Sequence, residues 1–316
     1  MGINTLYWEI TGSCNLNCQH CYLGGPQSKG DLTLDESLER VDIFSRNGIE
    51  ILLLTGGEPL LSPHIFDIIK YANNKNIKTA ILSNGTLINE DYAKKISESK
   101  PNTIQISIDG LYETHDKIRG KGSFRKIEQA IDNLKNESIK VITKLTINRN
   151  NLNDIEDVID YCASKDIYLN FSLVQELGNA QKSKILPTPQ EYFDLYLKLH
   201  HKKKVEGFKI TLPDFSIEEY LETGVAKSGC SGGSKIAAIT NDDYFMPCVF
   251  MSTLGLGKKD GLIKFNEEQL KKPNKLFDII TKHASKEFGC PLRKFKYGID
   301  PYSVYEFIRY MNNENL

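Results

Sequence analysis

Short apolar runs recur along the chain as far as residue 174, and a polar or amphipathic segment of helical length follows each run. Such alternation predicts a parallel sheet with helices packed against it, because parallel strands need long crossover connections. The pattern is compatible with an α/β barrel and with a doubly wound open sheet. We place six strands at residues 5–11, 50–55, 77–83, 103–109, 139–147 and 167–174.

Two further signals refine this arrangement. Thr33 and Glu36 have the spacing of a capping box, as do Thr188 and Glu191, and each pair predicts a helix that begins just after its threonine. The chemical motifs described below fall just after the carboxyl ends of the predicted strands. This is where α/β barrels place their active sites, so we expect a site at that end of the sheet.

Three cysteines with C-x3-C-x2-C spacing follow the first predicted strand. Cys14, Cys18 and Cys21 lie in one loop, and three closely spaced thiolates can hold three irons of a [4Fe–4S] cluster while leaving the fourth iron open. A structural zinc site would need a fourth ligand, and no second cysteine or histidine pair follows nearby. A redox dithiol would use only Cys18 and Cys21. The spacing favours the cluster and leaves zinc as the alternative.

The run from Cys14 to Tyr22 resembles the cluster signature of the radical S-adenosylmethionine (SAM) superfamily. The resemblance implies that the three cysteines bind a [4Fe–4S] cluster whose open iron is chelated by SAM, and that Tyr22 lies in the cofactor-binding region. It also implies an α/β fold, namely a partial (β/α)6 TIM-like barrel.

A Gly-Gly-Glu motif ends the second predicted strand. A strand that stops at Gly56 and Gly57 can expose backbone amides to a ligand, because no side chain blocks the approach. Glu58 then offers a carboxylate that suits an amino group, although an ordinary turn with a solvated glutamate is the simpler alternative. The superfamily resemblance implies that these three residues bind the amino group of SAM.

Two more polar pairs follow the third and fourth strands. Ser107 and Arg119 can hold a carboxylate, because a guanidinium donates two parallel hydrogen bonds and a hydroxyl adds one. They resemble the serine and arginine that bind the SAM carboxylate in sulfatase-maturating enzymes and peptide maturases. Ser83 and Asn84 are placed similarly and are expected to line the ribose. The alternatives are a surface arginine and an ordinary turn.

A second set of cysteines, Cys230, Cys248 and Cys290, lies beyond the alternating pattern. Residues 235–248 between the first two read as a β-hairpin. The set resembles the twitch domain, a shortened SPASM domain in which a hairpin and helix bind an auxiliary [4Fe–4S] cluster. Asp243 departs from that pattern, which has glycine there. Three unrelated buried cysteines are the alternative.

The resemblance therefore divides the chain into two regions. Residues 1–225 are assigned to the partial barrel, with a bridging segment at about 186–225, and residues 226–316 to the small C-terminal β-hairpin/helix auxiliary iron–sulfur domain with a final helix. Cys162, the remaining thiol, falls in a helical pattern of the outer layer, where we expect it to be structural.

Composition excludes several other classes of protein. The 316 residues carry a formal net charge of −1, so no electrostatic signal indicates nucleic acid or an anionic membrane. No apolar stretch reaches the roughly 18 residues of a membrane span, and no signal peptide is evident. We expect a cytoplasmic location, where the seven cysteines are better explained as cluster ligands and buried thiols than as disulfides.

The resemblance implies a reaction but not a substrate. SAM would be cleaved reductively to a 5′-deoxyadenosyl radical, which abstracts a substrate hydrogen, with an external electron donor such as flavodoxin or ferredoxin. The core most resembles enzymes that modify ribosomally made peptides or proteins by crosslinking, oxidation or epimerisation. Against this, only 13 residues precede Cys14, too few for a leader-binding module. The alternatives are a sugar or aminocyclitol dehydrogenase or epimerase in antibiotic biosynthesis and a non-catalytic iron–sulfur redox sensor.

Overall fold

Within the residues that the computed structural model of the protein describes, ten strands form a single sheet. The structure describes residues 2–27, 30–225, 230–253, 263–272, 275–286, 290–293 and 300–313. The six predicted strands are confirmed, with ends that differ by at most two residues. They are β1 (Thr5–Thr11), β2 (Ile51–Gly56), β3 (Lys78–Ser83), β4 (Thr103–Ser107), β5 (Val141–Ile147) and β6 (Tyr168–Leu173).

Strands β1 to β6 are parallel and adjacent in sequence order, so every connection is a crossover. Crossovers of this kind are right-handed, which puts their helices on the same face of the sheet. The connecting helices are α1 (Leu34–Arg46), α2 (Ile65–Asn74), α3 (Glu90–Ser99), α4 (Tyr112–Arg119), α5 (Ser123–Asn136) and α6 (Ile155–Ser164).

Further elements follow the sixth strand. The helices are α7 (Asn179–Ser183), α8 (Pro189–Lys204), α9 (Phe215–Thr223), α10 (Glu267–Lys271), α11 (Lys275–Lys286) and α12 (Val304–Asn313). The strands are β7 (Ile210–Thr211), β8 (Ile236–Ile239), β9 (Tyr244–Met246) and β10 (Ile263–Lys264). Both predicted capping boxes are present, at Thr33 before α1 and at Thr188 before α8.

The sheet has a buried helix-facing side and a partly exposed inner face. Trp8 packs edge-on against Phe44 of α1 with ring centroids 5.4 Å apart, and Thr143 contacts Cys162 of α6, so these strand residues face the helices. Side chains alternate along a strand, so their neighbours face the other way. Each of the six strands has a partly exposed residue on this inner face, namely Tyr7, Thr55, Leu82, Ser107, Lys144 and Asn170.

The predicted hairpin continues the barrel sheet. Strand β8 runs parallel to β1, with Thr5 opposite Ile236 and Trp8 opposite Ile239, and β9 returns antiparallel to β8. Asp243 adopts φ 68° in the turn, a left-handed conformation that glycine reaches without strain. Its carboxylate accepts a 2.8 Å hydrogen bond from Arg40. The glycine of the pattern that this segment resembles would fit the same turn.

No helix in the described parts of the chain has both the length and the apolar composition that a membrane crossing requires.

We predict that Thr33→Ala destabilises the protein by about 1 kcal/mol, because the threonine side chain accepts from the Glu36 amide at the start of α1. Thr33→Ser is the matched control, since serine keeps the hydroxyl and should stay within about 0.5 kcal/mol of the wild type. Urea unfolding measures both variants. Equal stabilities of the alanine and serine variants would show that the cap contributes nothing.

Candidate active site at the cysteine loop

The Gly-Gly-Glu motif holds the cysteine loop against the end of β2. The amide of Gly57 donates to the Thr11 carbonyl at 2.9 Å, and the amide of Glu58 donates to the Ser13 carbonyl at 2.7 Å. A Cβ at Gly57 would lie 2.1 Å from the Ser13 oxygen, so only glycine permits this approach. These two amides are therefore not free for a ligand, because they fix the loop that carries the cysteines. The expectation that Gly56, Gly57 and Glu58 bind the amino group of SAM stays a prediction.

The three thiols of this loop lie close together. Burial raises the pKa of Cys18 to about 11, and the charges of Cys14 and Cys21 act in the same direction. Cys14 accepts a hydrogen bond from the Leu16 amide at 3.4 Å. No group of three histidine, cysteine or carboxylate side chains among the described residues is arranged to hold a single metal ion.

Polar donors from the barrel also approach these sulfurs. The Asn84 side-chain amide lies 4.0 Å from the Cys14 sulfur, and Arg119 Nη1 lies 3.9 Å from the Cys18 sulfur. Donors of this kind stabilise thiolates and tune the potential of a bound cluster. Three thiols in one loop, two of them with N–H donors nearby, fit the ligand set of a [4Fe–4S] cluster.

Glu58 is a buried carboxylate beside the loop. It is 1% exposed, and its oxygens accept from the Ser83 hydroxyl at 2.8 Å, the Asn84 amide at 2.7 Å and the Leu60 amide at 3.2 Å. Burial raises its pKa to about 7, although these hydrogen bonds act against the rise. A carboxylate has about four acceptor positions, so one remains for a further donor.

The structure gives Ser83 and Asn84 a supporting role. Ser83 binds Glu58 and also accepts from the Gly85 amide at 2.9 Å. The Asn84 side chain bridges to Asn15 of the cysteine loop at 2.9 Å. Both residues thus connect the end of β3 to Glu58 and the cysteine loop, and the expectation that they line the ribose stays a prediction.

A buried ion-pair network also adjoins the cysteine loop. Asp109 is fully buried, and its Oδ2 atom lies 2.5 Å from both Arg119 Nε and His20 Nε2. Burial acts to raise the pKa of Asp109, but the charges of Arg119 and His20 outweigh it and hold the pKa well below its ordinary value. The Oδ1 atom accepts from the Thr146 amide at 2.8 Å.

This network changes the interpretation of Arg119. Its Nε atom is bound to Asp109 and Nη1 faces the Cys18 sulfur, so part of the guanidinium is already engaged. Ser107 is the last residue of β4 and lies on the inner face, partly exposed. A shared role for this pair in binding a carboxylate stays a prediction.

The second cysteine set also comes together. Cys248 and Cys290 pack against the same apolar cluster, and Gly232 lies between the Cys230 sulfur and the Pro247 carbonyl, next to Cys248. Burial raises the pKa of Cys248, and the charges of Cys290 and Cys230 add to the rise. The Cys230 sulfur accepts from the Gly232 amide at 3.3 Å, and the Cys290 amide donates to Asp300 at 2.6 Å. The sequence had placed these cysteines 18 and 42 positions apart, and the fold gathers them.

Tyrosines connect the two cysteine sets. Tyr22 is half-buried, and its pKa is raised by desolvation and then by Glu9, Cys21 and Cys248. Its hydroxyl donates to Glu9 at 2.8 Å, and its ring packs edge-on against Phe250 with centroids 5.3 Å apart. Tyr22 therefore lies between the sets, and its predicted place in the cofactor-binding region stays a prediction.

The inner face of β1 borders the second set as well. Burial raises the pKa of Tyr7 to about 12, and the charges of Cys248 and Cys230 contribute to the rise. Tyr7 is partly exposed on that face. Both cysteine sets thus adjoin the same side of the sheet.

Sequence reasoning missed three residues of this region: Asp109, His20 and Glu9. Asp109 directly follows β4, as an active-site residue of a barrel would, and this position was the available signal. Nothing in the sequence pairs it with His20, which is 89 residues away. Cys162 is buried on α6 and contacts Thr143 at 3.4 Å, as expected of a packing residue.

Comparison with known proteins identifies relatives of both the sequence and the fold. Residues 8–162 match the family model described as the radical SAM superfamily. Fe-coproporphyrin III synthase of Methanosarcina barkeri (strain Fusaro / DSM 804) is 34% identical over 163 residues, which cover 51% of this chain and 41% of that protein. The sporulation killing factor maturation protein SkfB of Bacillus subtilis (strain 168) is 27% identical over 244 residues, covering 76% of this chain and 58% of that protein.

The chain spans less than two thirds of the length of both relatives. Its fold is similar to that of native anSMEcpe with bound AdoMet and Kp18Cys peptide, with a TM-score of 0.69 at 20% identity, covering 99% of this chain and 100% of that one. This likeness confirms the predicted α/β fold.

We predict that Asp109→Asn destabilises the protein by about 3–5 kcal/mol, because it leaves the buried Arg119 without its anion. The carboxyl pKa is lowered in the folded state, so its contribution is present above the ordinary carboxyl pKa and is lost as the pH falls. The difference from wild type should therefore shrink below about pH 4.

Urea unfolding at several pH values measures this effect. Asp160→Asn on the exposed face of α6 is the matched control and should change stability by less than about 0.5 kcal/mol. A stability difference for Asp109→Asn that is small at neutral pH, or that does not vary with pH, would contradict the role assigned to the ion pairs.

Proposed function

The chain belongs to the radical SAM superfamily, and on that premise we propose that Cys14, Cys18 and Cys21 bind a [4Fe–4S] cluster at which SAM is cleaved. The observation that carries the proposal is the convergence of the three thiols with N–H donors and with the buried carboxylate of Glu58. The superfamily's domain itself implies the cluster and SAM.

Each residue of the site has a separate task in this proposal. Glu58 offers its remaining acceptor position to the amino group of SAM, and Ser83 and Asn84 hold it in place. Ser107 and the free edge of Arg119 receive the SAM carboxylate, as the resemblance of their motif to peptide maturases implies. When bound, the cluster and SAM supply the electron transfer and hydrogen abstraction, while the protein orients the reactants and excludes water.

The second cysteine set is proposed to bind an auxiliary [4Fe–4S] cluster in a twitch-type region beginning near residue 226. Cys230, Cys248 and Cys290 are neighbours, and Tyr7 connects them to the inner face of the barrel sheet. A cluster there could receive the electron that remains after hydrogen abstraction, or bind the substrate. Three cysteines leave one iron for another ligand.

The proposed substrate is a ribosomally made peptide. The named role of SkfB is maturation of sporulation killing factor, and the relation covers 76% of this chain. A tetrapyrrole is the second candidate, because Fe-coproporphyrin III synthase is the more similar of the two relatives at 34% identity. Three expectations stay predictions: the electron donor, the cytoplasmic location, and the alternative of a sugar or aminocyclitol substrate. The synthase is named as an enzyme, which disfavours the alternative of a non-catalytic sensor.

We predict that anaerobically reconstituted protein carries about eight irons in two clusters. Replacing Cys14, Cys18 and Cys21 with alanine should remove about half of this iron and abolish SAM cleavage. Replacing Cys230, Cys248 and Cys290 should also remove about half, but leave reductive SAM cleavage largely intact. Iron analysis and chromatographic detection of 5′-deoxyadenosine measure the two effects.

Cys162→Ala is the matched control, since this buried thiol lies outside both sets and should leave the iron content unchanged. Circular dichroism checks that each variant is folded, because metal binding can contribute folding energy in small modules. Full iron in the first triple variant would overturn the site assignment. A single cluster in the wild type would instead show that the late cysteines are packing residues.

A further inference from the structure

Lys144 is a cation on the inner face of the sheet, in the middle of β5. Thr143 and Leu145 on either side are buried, and Thr143 contacts Cys162 of α6. Because side chains alternate along a strand, Lys144 faces away from the helices. It lies on the same side as Ser107 of the proposed SAM site.

The neighbours of Lys144 are neutral hydrogen-bonding groups. In the sheet register Ser107 of β4 lies opposite Lys144, and Lys144 lies opposite Asn170 of β6, so a hydroxyl, an ammonium and an amide form one row. The amine donates to the Phe171 carbonyl at 3.1 Å. Lys144 forms no ion pair with any carboxylate in the described part of the chain.

An ammonium in this position is incompletely satisfied. It has three donors, and one neutral carbonyl occupies one of them. Burial alone lowers the pKa of Lys144 to about 8, which shows the cost of holding this charge without an anion. An anion bound there would stabilise the charged form of the Lys144 amine.

We propose that Lys144 binds a carboxylate group of the substrate on the inner face of the sheet. One positive charge flanked by neutral donors matches a singly charged carboxylate better than a doubly charged phosphate. The amine reaches to the backbone of β6, on the side of β5 opposite to Ser107, which is assigned to the carboxylate of SAM. We therefore assign its partner to the substrate and not to SAM. This inference rests on the proposed function, which makes the inner face the place of the substrate.

Two kinds of substrate carry such a group. A peptide offers a glutamate side chain, and coproporphyrin offers propionate side chains. Propionate is the end group common to both, and propionamide is its neutral counterpart of the same shape. This pair of small molecules tests the proposed recognition before the substrate is known.

The experiment is competitive acetylation of amines in the reconstituted protein, followed by peptide mass spectrometry. At saturation, propionate should slow the acetylation of Lys144 by roughly tenfold, as expected for an amine held in a charged hydrogen bond, whereas propionamide should have no effect. Lys78 is exposed and is the internal control, whose rate neither compound should change. Equal rates for Lys144 with and without propionate would overturn the proposal.

A SAM arm identifies the source of the carboxylate. If SAM alone protects Lys144 and propionate adds nothing, the amine serves SAM and the proposal is wrong. The labelling experiment requires no turnover, so it tests the carboxylate site independently of the proposed function. The proposed function is tested separately, by whether the protein cleaves SAM. Propionate protection without SAM cleavage would leave the carboxylate site standing and overturn only the radical chemistry.

Two variants extend the test to larger ligands. Lys144→Met keeps the length of the side chain and removes its charge, while Lys144→Arg keeps the charge. Binding of coproporphyrin III is compared with that of its tetramethyl ester, and a glutamate-containing peptide with its glutamine version. The acid that binds should lose roughly ten- to hundredfold affinity in Lys144→Met, with partial recovery in Lys144→Arg and unchanged SAM affinity. Equal affinities of wild type and Lys144→Met for that acid would contradict the proposal.

Discussion

The backbone contact between the Gly-Gly-Glu motif and the cysteine loop is the constraint on which the site depends. Two amides of residues 57 and 58 hold the carbonyls of Thr11 and Ser13, and the space available at Gly57 excludes any side chain. The contact fixes where the loop leaves β1, and therefore the position of Cys14, the first cysteine of the loop. It also sets Glu58 beside that loop, so the residue proposed to bind SAM and the cysteines proposed to bind iron are positioned by the same interaction.

The Asp109 network also adjoins the cysteine loop. A buried anion holds Arg119 and His20 together, and Arg119 in turn approaches the sulfur of Cys18. Because the carboxylate also accepts from the Thr146 amide, it connects β4, β5 and the cysteine loop. This arrangement keeps the positive charge of Arg119 next to the proposed cluster and pairs it with Asp109. Removing the carboxylate would leave a buried, unpaired charge and destabilise the protein considerably.

The sequence predicted the strands and the cysteine loop because both depend on local patterns. Apolar runs and capping boxes are set by neighbouring residues, and C-x3-C-x2-C spacing lies within one loop. The pairings of Asp109 with His20 and of β8 with β1 were not predictable, since they join residues far apart in the chain and leave no local signal. The contact of Gly57 with the cysteine loop was not predictable for the same reason: a missing side chain shows that something approaches closely, but not what approaches.

In the proposed site, the cysteine loop holds a cluster whose fourth iron lacks a protein ligand, and SAM binds that iron beside Glu58. Electron–nuclear resonance of the reduced protein with SAM isotopically labelled at its amino nitrogen and carboxylate oxygens tests this claim most directly. If SAM binds the open iron there, both labels couple to the cluster spin, and the coupling persists when Cys230, Cys248 and Cys290 are replaced. A reduced cluster whose spectrum shows no coupling to either label would contradict it.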